Sequence, residues 1–355
     1  MDSTPANLKS SLSVPSVQEL ASQRPERVPA RYIRDQDGDD IIATYPFDPS
    51  LHVPFIDMAK LVNADTQQHE LQKLHLACKD WGVFQLINHG IPSTSLRNMG
   101  NQVQRFFELP LQEKKRWAQR SGSLEGYGQA FVTSADQKLD WNDMIFLKCL
   151  PIQNRKSDLW PQNPPEFRET LEIYSEDIRE VTISLVKFIT MSLGLQDTQI
   201  SESFREGLYE IRMNCYPPCP EPERVLGIVP HADNSGITLL LDCADFPGLQ
   251  FLKDKKWVNV EPIEGAIVAN IGQIIEVMSN GIYKAPEHRA VVNKLKGRFS
   301  IVTFCYPSPH MAIGPSDKLI GEGNAAIFKK LTHAEYFSKF FNRDLDELFI
   351  DSLRV

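Results

Sequence analysis

The clearest pattern in the chain is a helical one, between residues 167 and 188. The spacing of its apolar side chains alternates between four and three residues, which places them on one face of an α-helix: Phe167, Leu171, Tyr174, Ile178, Val181, Leu185 and Phe188. Pro164-Pro165 indicates the start of this helix and Gly194 its end. A coiled-coil dimer is the alternative, but only about three heptads are present, which favours packing against the protein's own sheet.

Shorter elements are predicted in the first half of the chain. The stretch 82–90 indicates a strand and a turn, and His89 in that turn is interpreted as structural rather than catalytic. Two helices are predicted from apolar residues at helical spacing: one carries Leu71, Leu74, Cys78 and Trp81, and the other, capped by Ser93, carries Leu96, Met99, Val103 and Phe106.

Residues 1–52 have the character of an arm laid on the body of the protein. They are rich in proline, serine and charge, and residues 35–40 form an acidic run. One short helix is predicted at 14–20, with Ser16 as its cap. Residues 53–57 then indicate a short strand that enters the fold.

The pattern changes after residue 208 to short β-rich runs separated by Gly, Pro, Asn and Asp. The runs are 211–216, 237–241, 249–252, 257–260, 266–269, 290–293 and 299–304. Short strands at such intervals are typical of an antiparallel sandwich or barrel. We therefore divide the chain into an arm (1–52), a helical N-terminal region (53–205), a β core (206–308) and a C-terminal helical segment (309–355).

Charge and composition narrow the class of protein. The net charge of −8 over 355 residues argues against a nucleic-acid-binding surface. The six cysteines are scattered and lie mostly in apolar runs, which indicates reduced thiols rather than a disulfide framework. No apolar run is long enough to span a membrane, and the N-terminus does not look like a signal peptide. We expect a cytoplasmic protein, with the nucleus as the alternative compartment.

Two histidines and an aspartate form the most informative motif. His231-Ala232-Asp233 is followed by His288 and then by Arg298-Phe299-Ser300. In an extended segment, His231 and Asp233 would point the same way, and His288 would return across the sandwich to the same ion. Two imidazoles and one carboxylate on one face of a metal, with the other face open, are the ligand set of non-haem Fe(II) oxygenases.

Arg298 and Ser300 add a second function to this motif. A guanidinium can bind a carboxylate through two parallel hydrogen bonds, and Ser300 lies two residues further along the same predicted strand face. This is what a keto-acid cosubstrate such as 2-oxoglutarate requires, and Tyr216 could add a hydroxyl. The sequence therefore predicts a keto-acid site beside the iron.

Other kinds of metal site are less well supported by the sequence. Two His and one carboxylate also serve zinc hydrolases, but that interpretation leaves Arg298 and Ser300 without a task. A second match to the first half of the motif, His333-Ala334-Glu335, has no later His and no Arg-x-Ser. Cys215 and Cys219 could suggest zinc, but Pro217-Pro218 separates them and there is no second pair.

Several stretches resemble plant Fe(II)/2-oxoglutarate-dependent dioxygenases, over nearly the whole chain. The similar segments are 77–90, 214–220, 230–233, 279–284, 287–293 and 298–300, while 126–131 and 136–141 resemble the branch that contains senescence-related proteins and the codeine and thebaine O-demethylases. The resemblance implies a mainly β fold with flanking helices and a distorted double-stranded β-helix (jelly roll) core. It also implies Fe(II), 2-oxoglutarate and O₂, with ascorbate as reductant.

By matching position, the resemblance assigns iron to His231, Asp233 and His288, and 2-oxoglutarate to Arg298, Ser300, Tyr216 and Asn214. This chain departs from the family pattern at four points without losing a ligand. Cys215 replaces the usual Tyr, Ala232 replaces Ser or Thr, and Gln273 replaces Asp. The fourth departure is Pro286, two residues before His288. These departures concern the substrate and the tightness of cosubstrate binding rather than the class of reaction.

The expected activity is oxidation of a small, largely apolar specialised metabolite with release of succinate and CO₂. Hydroxylation, O- or N-demethylation, desaturation and ring closure all fit. Candidate substrate-pocket residues are Phe131, Phe146, Leu241 and Phe304. The alternatives are a plant hormone oxidase of the same family and a non-catalytic ligand-binding protein on the same fold. We expect a monomer with no nucleic-acid or membrane partner.

Overall fold

The computed structural model describes residues 11–34, 51–132, 134–195, 198–343 and 348–355. The acidic run 35–40 of the predicted arm lies outside the described residues. Among these residues the α-helices are α1 (Val17–Ser22), α2 (Met58–Val62), α3 (Gln67–Leu76), α4 (Ser93–Phe107), α5 (Leu111–Lys114), α6 (Phe167–Ser192), α7 (Thr198–Ser203), α8 (Gln273–Met278) and α9 (His333–Phe341).

The β-strands carry the site and account for most of the second half of the chain. They are β1 (Phe55–Asp57), β2 (Val83–Ile87), β3 (Gly126–Gly128), β4 (Asp143–Leu150), β5 (Leu208–Tyr216), β6 (Ile228–His231), β7 (Ile237–Asp242), β8 (Leu249–Lys253), β9 (Lys256–Asn259), β10 (Ile267–Ile271), β11 (His288–Ala290) and β12 (Arg298–Tyr306).

Two sheets face each other across the β core. The larger has the order β1-β2-β10-β7-β12-β5-β4-β3, and the smaller has the order β6-β11-β8-β9. Leu240 and Val268 of the larger sheet share a buried cluster with Leu249 and Phe251 of the smaller one. The strand pairs are antiparallel apart from β1 with β2. The predicted mainly β fold with a jelly-roll core and flanking helices is confirmed.

The long helix α6 covers the outer face of the larger sheet. The residues of its predicted apolar stripe are all buried, and they belong to the main core cluster. Thr182 on this helix lies 3.3 Å from the sulfur of Cys305 on β12. Gly194, with φ of +75°, follows the helix in a conformation that favours glycine. Because the stripe packs on the protein's own sheet, the coiled-coil alternative is not supported.

Some sequence predictions of elements need correction. Ser93 does not cap α4: it is the first residue of that helix, after Pro92, and its hydroxyl accepts a hydrogen bond from Arg97. The strand predicted at 290–293 lies at 288–290, and so includes His288. Strand β6 was not predicted because it is short and contains Pro230, which weakens a strand pattern. Ser16 does cap α1, as predicted.

A buried carboxylate on β4 is one attachment of the arm within residues 11–34. Asp143 accepts hydrogen bonds from the Ser16 hydroxyl (2.6 Å) and from the backbone N–H groups of Val17 and Gln18 (both 2.9 Å). Burial raises the pKa of the Asp143 carboxyl, and these hydrogen bonds partly offset that effect. The chain near Arg31 then continues the attachment, since the Arg31 carbonyl accepts from the Leu139 N–H at 2.9 Å.

Removal of this carboxylate should release the arm. We expect Asp143→Ala to lower the free energy of unfolding by about 2–4 kcal/mol, because three donors lose a charged acceptor. Trypsin should then cleave faster after Arg27, an exposed residue of the arm that is followed by Val28. Asp158→Ala is the control, since the contact of Asp158 among the described residues is an exposed ion pair with Arg120. Equal cleavage rates in both variants and the parent protein would contradict this role of Asp143.

Candidate metal centre

Strand pairing in the smaller sheet brings the two distant histidines together. His231 is the last residue of β6, and His288 is the first residue of β11. The two residues are direct partners in the antiparallel register, and their ring centroids lie 4.2 Å apart. Asp233 lies in the loop just after β6, with its side chain buried. Backbone pairing therefore brings the two histidines together, and the loop after β6 adds Asp233.

The side-chain atoms of the triad are spaced for one ion. The Nε2 atom of His231 lies 3.6 Å from Oδ1 of Asp233, and the Nε2 atom of His288 lies 3.7 Å from Oδ2. These distances are too long for hydrogen bonds. Ligand atoms from all three residues lie within 4.8 Å of one another, so a single metal ion could bind all three.

The other ring nitrogen of each histidine is held by a backbone carbonyl. Nδ1 of His231 lies 2.8 Å from the oxygen of Val229, and Nδ1 of His288 lies 3.2 Å from the oxygen of Pro286. A carbonyl can only accept, so Nδ1 carries the proton and Nε2 keeps its lone pair for a metal. Pro286, one of the departures from the family pattern, thus supplies the carbonyl that orients a ligand.

Electrostatics favour the protonation states that metal binding requires. Burial, together with the neighbouring His288, lowers the pKa of His231 to about 4, so this imidazole is neutral near neutral pH. Burial alone would raise the pKa of the Asp233 carboxyl. The two imidazoles and the Asn270 amide outweigh that effect and lower it, so Asp233 is ionised. A neutral His231 imidazole and an ionised Asp233 carboxylate are the protonation states that suit Fe(II) binding.

Asn270 supports the centre and was missed by the sequence analysis. Its Nδ2 donates to Oδ2 of Asp233 at 2.9 Å, while the backbone N–H of Gln273 donates to the Asp233 carbonyl at 2.8 Å. Asn270 lies in β10, where every residue is buried and the others are apolar. A buried amide in such a strand requires a partner, and this was the signal that could have identified it.

The four residues assigned to the keto acid lie on two neighbouring strands. Ser300 is paired in register with Asn214, and Arg298 with Tyr216, across β12 and β5. The Asn214 amide donates to the Ser300 hydroxyl at 3.2 Å. The guanidinium of Arg298 lies over the Tyr216 ring, 5.1 Å from its centroid. The structure therefore brings all four residues into one group on the inner face of the larger sheet.

Arg298 has a counter-ion that the sequence analysis did not identify. Its Nε and Nη2 atoms donate to the carboxylate of Asp242 at distances of 2.7–3.1 Å. Burial would lower the pKa of Arg298, but Asp242 outweighs that effect and raises it. Asp242 is the acidic residue that ends the apolar strand β7 and pairs with Ser300. Its position at that strand end was the available signal.

The proposed substrate residues divide between the two faces of the larger sheet. Phe146 is paired with Arg212, and Phe304 is four residues from Ser300 on the same strand, so both lie on the inner face with the site. Leu241 is paired with Ile301, and both belong to the core that packs against the helices. The assignment of Leu241 to the pocket was wrong, because its side chain lies on the opposite face from Ser300.

Phe131 lies on the loop after β3, in a left-handed backbone conformation with φ of +59°. Its carbonyl accepts a hydrogen bond from the Gln137 side chain at 2.9 Å, within the segment that the arm covers. Its role towards substrate stays a prediction.

Charged side chains also occur on the inner face, next to the two phenylalanines. Arg212 is half-buried and donates from Nε to Asn214 at 2.7 Å. Glu210 is half-buried and is paired in register with Phe304. Burial lowers the pKa of Arg212 and raises that of Glu210. The inner face of the larger sheet therefore carries charged as well as aromatic side chains, which the sequence analysis did not anticipate.

The weaker metal patterns have structural explanations. Glu335 of His333-Ala334-Glu335 forms a capping box with Thr332 at the start of α9. Cys215 and Cys219 are buried free thiols. His89 is structural, as predicted: its ring contacts the Gly265 carbonyl at 2.9 Å and the Ile91 N–H at 3.2 Å. Among the described residues, no helix is long and apolar enough to cross a membrane.

Comparison with known proteins agrees with this geometry. Residues 53–165 match the family described as the non-haem dioxygenase in morphine synthesis N-terminal region, and residues 209–307 match the 2OG-Fe(II) oxygenase superfamily. Protein SRG1 of Arabidopsis thaliana is 42% identical over 351 residues, with 98% of each chain covered. Codeine O-demethylase of Papaver somniferum is 39% identical over 354 residues, again with 98% of each chain covered.

A solved structure extends the similarity to the fold. The crystal structure of JOX2 in complex with 2OG, Fe and JA has a TM-score of 0.86 and 30% identity, and the match covers 97% of this chain and 98% of that one. The enzymes of this family use Fe(II), 2-oxoglutarate and O₂. On the similarity of sequence over almost its full length, this chain belongs to the 2OG-Fe(II) oxygenase superfamily and is an oxidoreductase of the plant branch.

Proposed function

We propose that the protein oxidises a small, largely apolar specialised metabolite by hydroxylation, O- or N-demethylation, desaturation or ring closure. Iron is held by His231, Asp233 and His288, and 2-oxoglutarate by Arg298, Ser300, Tyr216 and Asn214. The observation that carries this proposal is the convergence of the three ligand atoms within 4.8 Å, in a fold that also buries Arg298 and Ser300 on the inner face of the larger sheet.

The residues of the chain have separate tasks in this proposal. Bound Fe(II) with its keto acid supplies O₂ activation, with succinate and CO₂ as products. The Val229 and Pro286 carbonyls hold the imidazoles in the tautomer that leaves Nε2 free. Asn270 fixes the rotamer of Asp233. The Asn214 amide orients the Ser300 hydroxyl, and Phe146 and Phe304 exclude water from the substrate side.

A hormone oxidase of the same family is the second candidate. The observation that favours it is the half-buried Arg212 on the inner face, which could bind a carboxylate of the substrate. A non-catalytic ligand-binding protein is less well supported, because the complete ligand set and its supporting hydrogen bonds are present. Tight ligand binding without succinate formation from any substrate would favour that alternative.

The remaining parts of the proposal concern the oligomeric state, the cellular compartment and the division of the chain into regions. We propose that the protein acts as a monomer in the cytoplasm, without a nucleic-acid or membrane partner; its six free cysteines, five of them buried, suit a reducing compartment. We also retain the division into an arm (1–52), an N-terminal region (53–205), a β core (206–308) and a C-terminal segment (309–355). The two family matches lie within the second and third of these.

The most direct test uses the reaction itself. Enzyme, Fe(II), ascorbate and 2-oxoglutarate are incubated with a plant tissue extract, and mass spectrometry searches for changes of about +16, −14 or −2 Da in single metabolites. Anaerobic addition of Fe(II) and 2-oxoglutarate should also give a weak visible charge-transfer band. A colourless complex, or hydrolytic activity with zinc, would contradict the proposal.

Loss of any triad ligand should abolish both iron binding and turnover. We expect His231→Ala, Asp233→Ala and His288→Ala each to fold, because the site is held by backbone pairing, and each to lose stoichiometric Fe(II). His333→Ala is the matched control, since its His-x-Glu pattern lacks a third ligand, and it should keep iron. Full activity in a triad variant would remove the residue concerned from the metal site.

Asn270 should affect iron affinity without being a ligand. We expect Asn270→Ala to weaken Fe(II) binding about tenfold to a hundredfold, because Asp233 loses the amide that orients it. Equilibrium dialysis with Fe(II) measures this directly. Asn259→Ala removes an amide bonded to Gln250 on the smaller sheet and should leave iron affinity unchanged. The same affinity in both variants would show that Asn270 has no part in orienting the ligand.

Arg298→Lys should weaken cosubstrate binding although it keeps the charge. A lysine offers a point charge where arginine offers a planar fork, so we expect a loss of about 1.5–3 kcal/mol. The effect should be a raised KM for 2-oxoglutarate with iron affinity little changed. An unaltered KM would mean that another cation, such as Arg212, holds the distal carboxylate of the keto acid.

A further inference from the structure

The guanidinium of Arg298 is already engaged along one edge. Asp242 accepts from Nε at 3.1 Å with each of its oxygens, and from Nη2 at 2.7 Å with Oδ2. The side chain of Arg298 is only 2% exposed and that of Asp242 is 13% exposed. This is a buried two-point ion pair, the strong form of an arginine–carboxylate contact.

Two further contacts prevent Arg298 from turning away from Asp242. The Tyr216 ring lies beneath the guanidinium, 5.1 Å away. Gly248 lies against the stem of the arginine so closely that a Cβ atom at this position would lie 2.4 Å from Cδ and 2.7 Å from Nε. The arginine is therefore confined between a ring, a glycine backbone and a carboxylate.

The donors that remain are at the far end of the guanidinium. An arginine has five N–H groups, and those of Nε and one of Nη2 are directed at Asp242. Among the described residues, the Nη1 group and the second N–H of Nη2 have no acceptor, and they remain for another carboxylate. A carboxylate that binds there must share one positive charge with Asp242, and the two negative charges lie along adjacent edges of the same guanidinium, which have Nη2 in common.

We propose that Asp242 sets the affinity of the site for its keto acid: it positions Arg298 through one edge and, by neutralising it, weakens its attraction for the distal carboxylate of 2-oxoglutarate. This inference rests on the proposed function of Arg298. It makes Asp242 a positioning residue that does not itself touch the cosubstrate. Because the affinity for 2-oxoglutarate is then moderate, the turnover of the enzyme depends on the concentration of this cosubstrate.

The test compares two keto acids that differ only in the distal carboxylate. Fe(II)-loaded protein is titrated anaerobically with 2-oxoglutarate and with 2-oxopentanoate, and the charge-transfer band reports the dissociation constant of each. The variants are Asp242→Asn, which removes the charge but keeps an acceptor oxygen, and Arg298→Gln. Asp245→Asn is the matched control, because Asp245 is exposed and pairs only with Lys296 among the described contacts.

We expect Asp242→Asn to tighten 2-oxoglutarate at least about threefold, because a like charge close to the distal carboxylate is removed. Binding of 2-oxopentanoate, which has no distal carboxylate, should not change, and Asp245→Asn should change neither. Unchanged or weaker binding of 2-oxoglutarate, or equal tightening of both keto acids, would overturn the proposal. Thermal melting verifies folding, and Asp242→Ser serves in the same titrations if Asp242→Asn does not fold.

The Arg298→Gln variant tests the proposed role of Arg298 separately from the role inferred for Asp242. If Arg298 anchors the distal carboxylate, Arg298→Gln should lose the preference for 2-oxoglutarate over 2-oxopentanoate. If the preference survives, the assignment of Arg298 is wrong and the role of Asp242 is wrong with it. If the preference is lost but Asp242→Asn behaves like the parent protein, Arg298 keeps its role and only the inference about Asp242 is wrong.

Discussion

The two-residue alternation of β12 is the constraint on which the site depends. This strand is paired on both sides, with β5 and with β7, so its register cannot shift without disturbing both neighbours. Its residues alternate between the helical layer, where Phe299 stacks on Phe107, and the inner face, where Arg298 and Ser300 lie. A slip of one residue would direct Arg298 and Ser300, the proposed keto-acid residues, into the helices and would bring Phe299 to the inner face.

The two histidines of the proposed iron site depend on strand pairing in the same way, but in the smaller sheet. His231 and His288 are opposite each other because β6 and β11 are antiparallel neighbours, and the carbonyls that hold their rings belong to the same short segments. The carboxylate is supported from the larger sheet, through Asn270. The proposed metal site therefore draws on both sheets, although each imidazole is oriented by a carbonyl only two residues before it.

Much of this arrangement follows from sequence, and the parts that do not have physical reasons. The stripe of α6 and the triad were predicted because their spacing is unambiguous. Leu241 was misplaced because β7 is apolar on both faces, so alternation cannot show which of its leucines faces inwards. Asp242 and Asn270 were missed because their importance depends on partners that are distant in the chain and become neighbours only through strand order.

The location of Phe146, Arg212 and Glu210 on β4 and β5 has a consequence for how such a protein can diversify. These strands lie towards one end of the larger sheet, whereas both imidazoles belong to the smaller one. Substitutions that reshape the substrate side can therefore accumulate without passing through forms that have lost the metal. The layout keeps the proposed substrate side on a different sheet from the two histidines, so new specificities can arise by changes on β4 and β5 that spare these ligands.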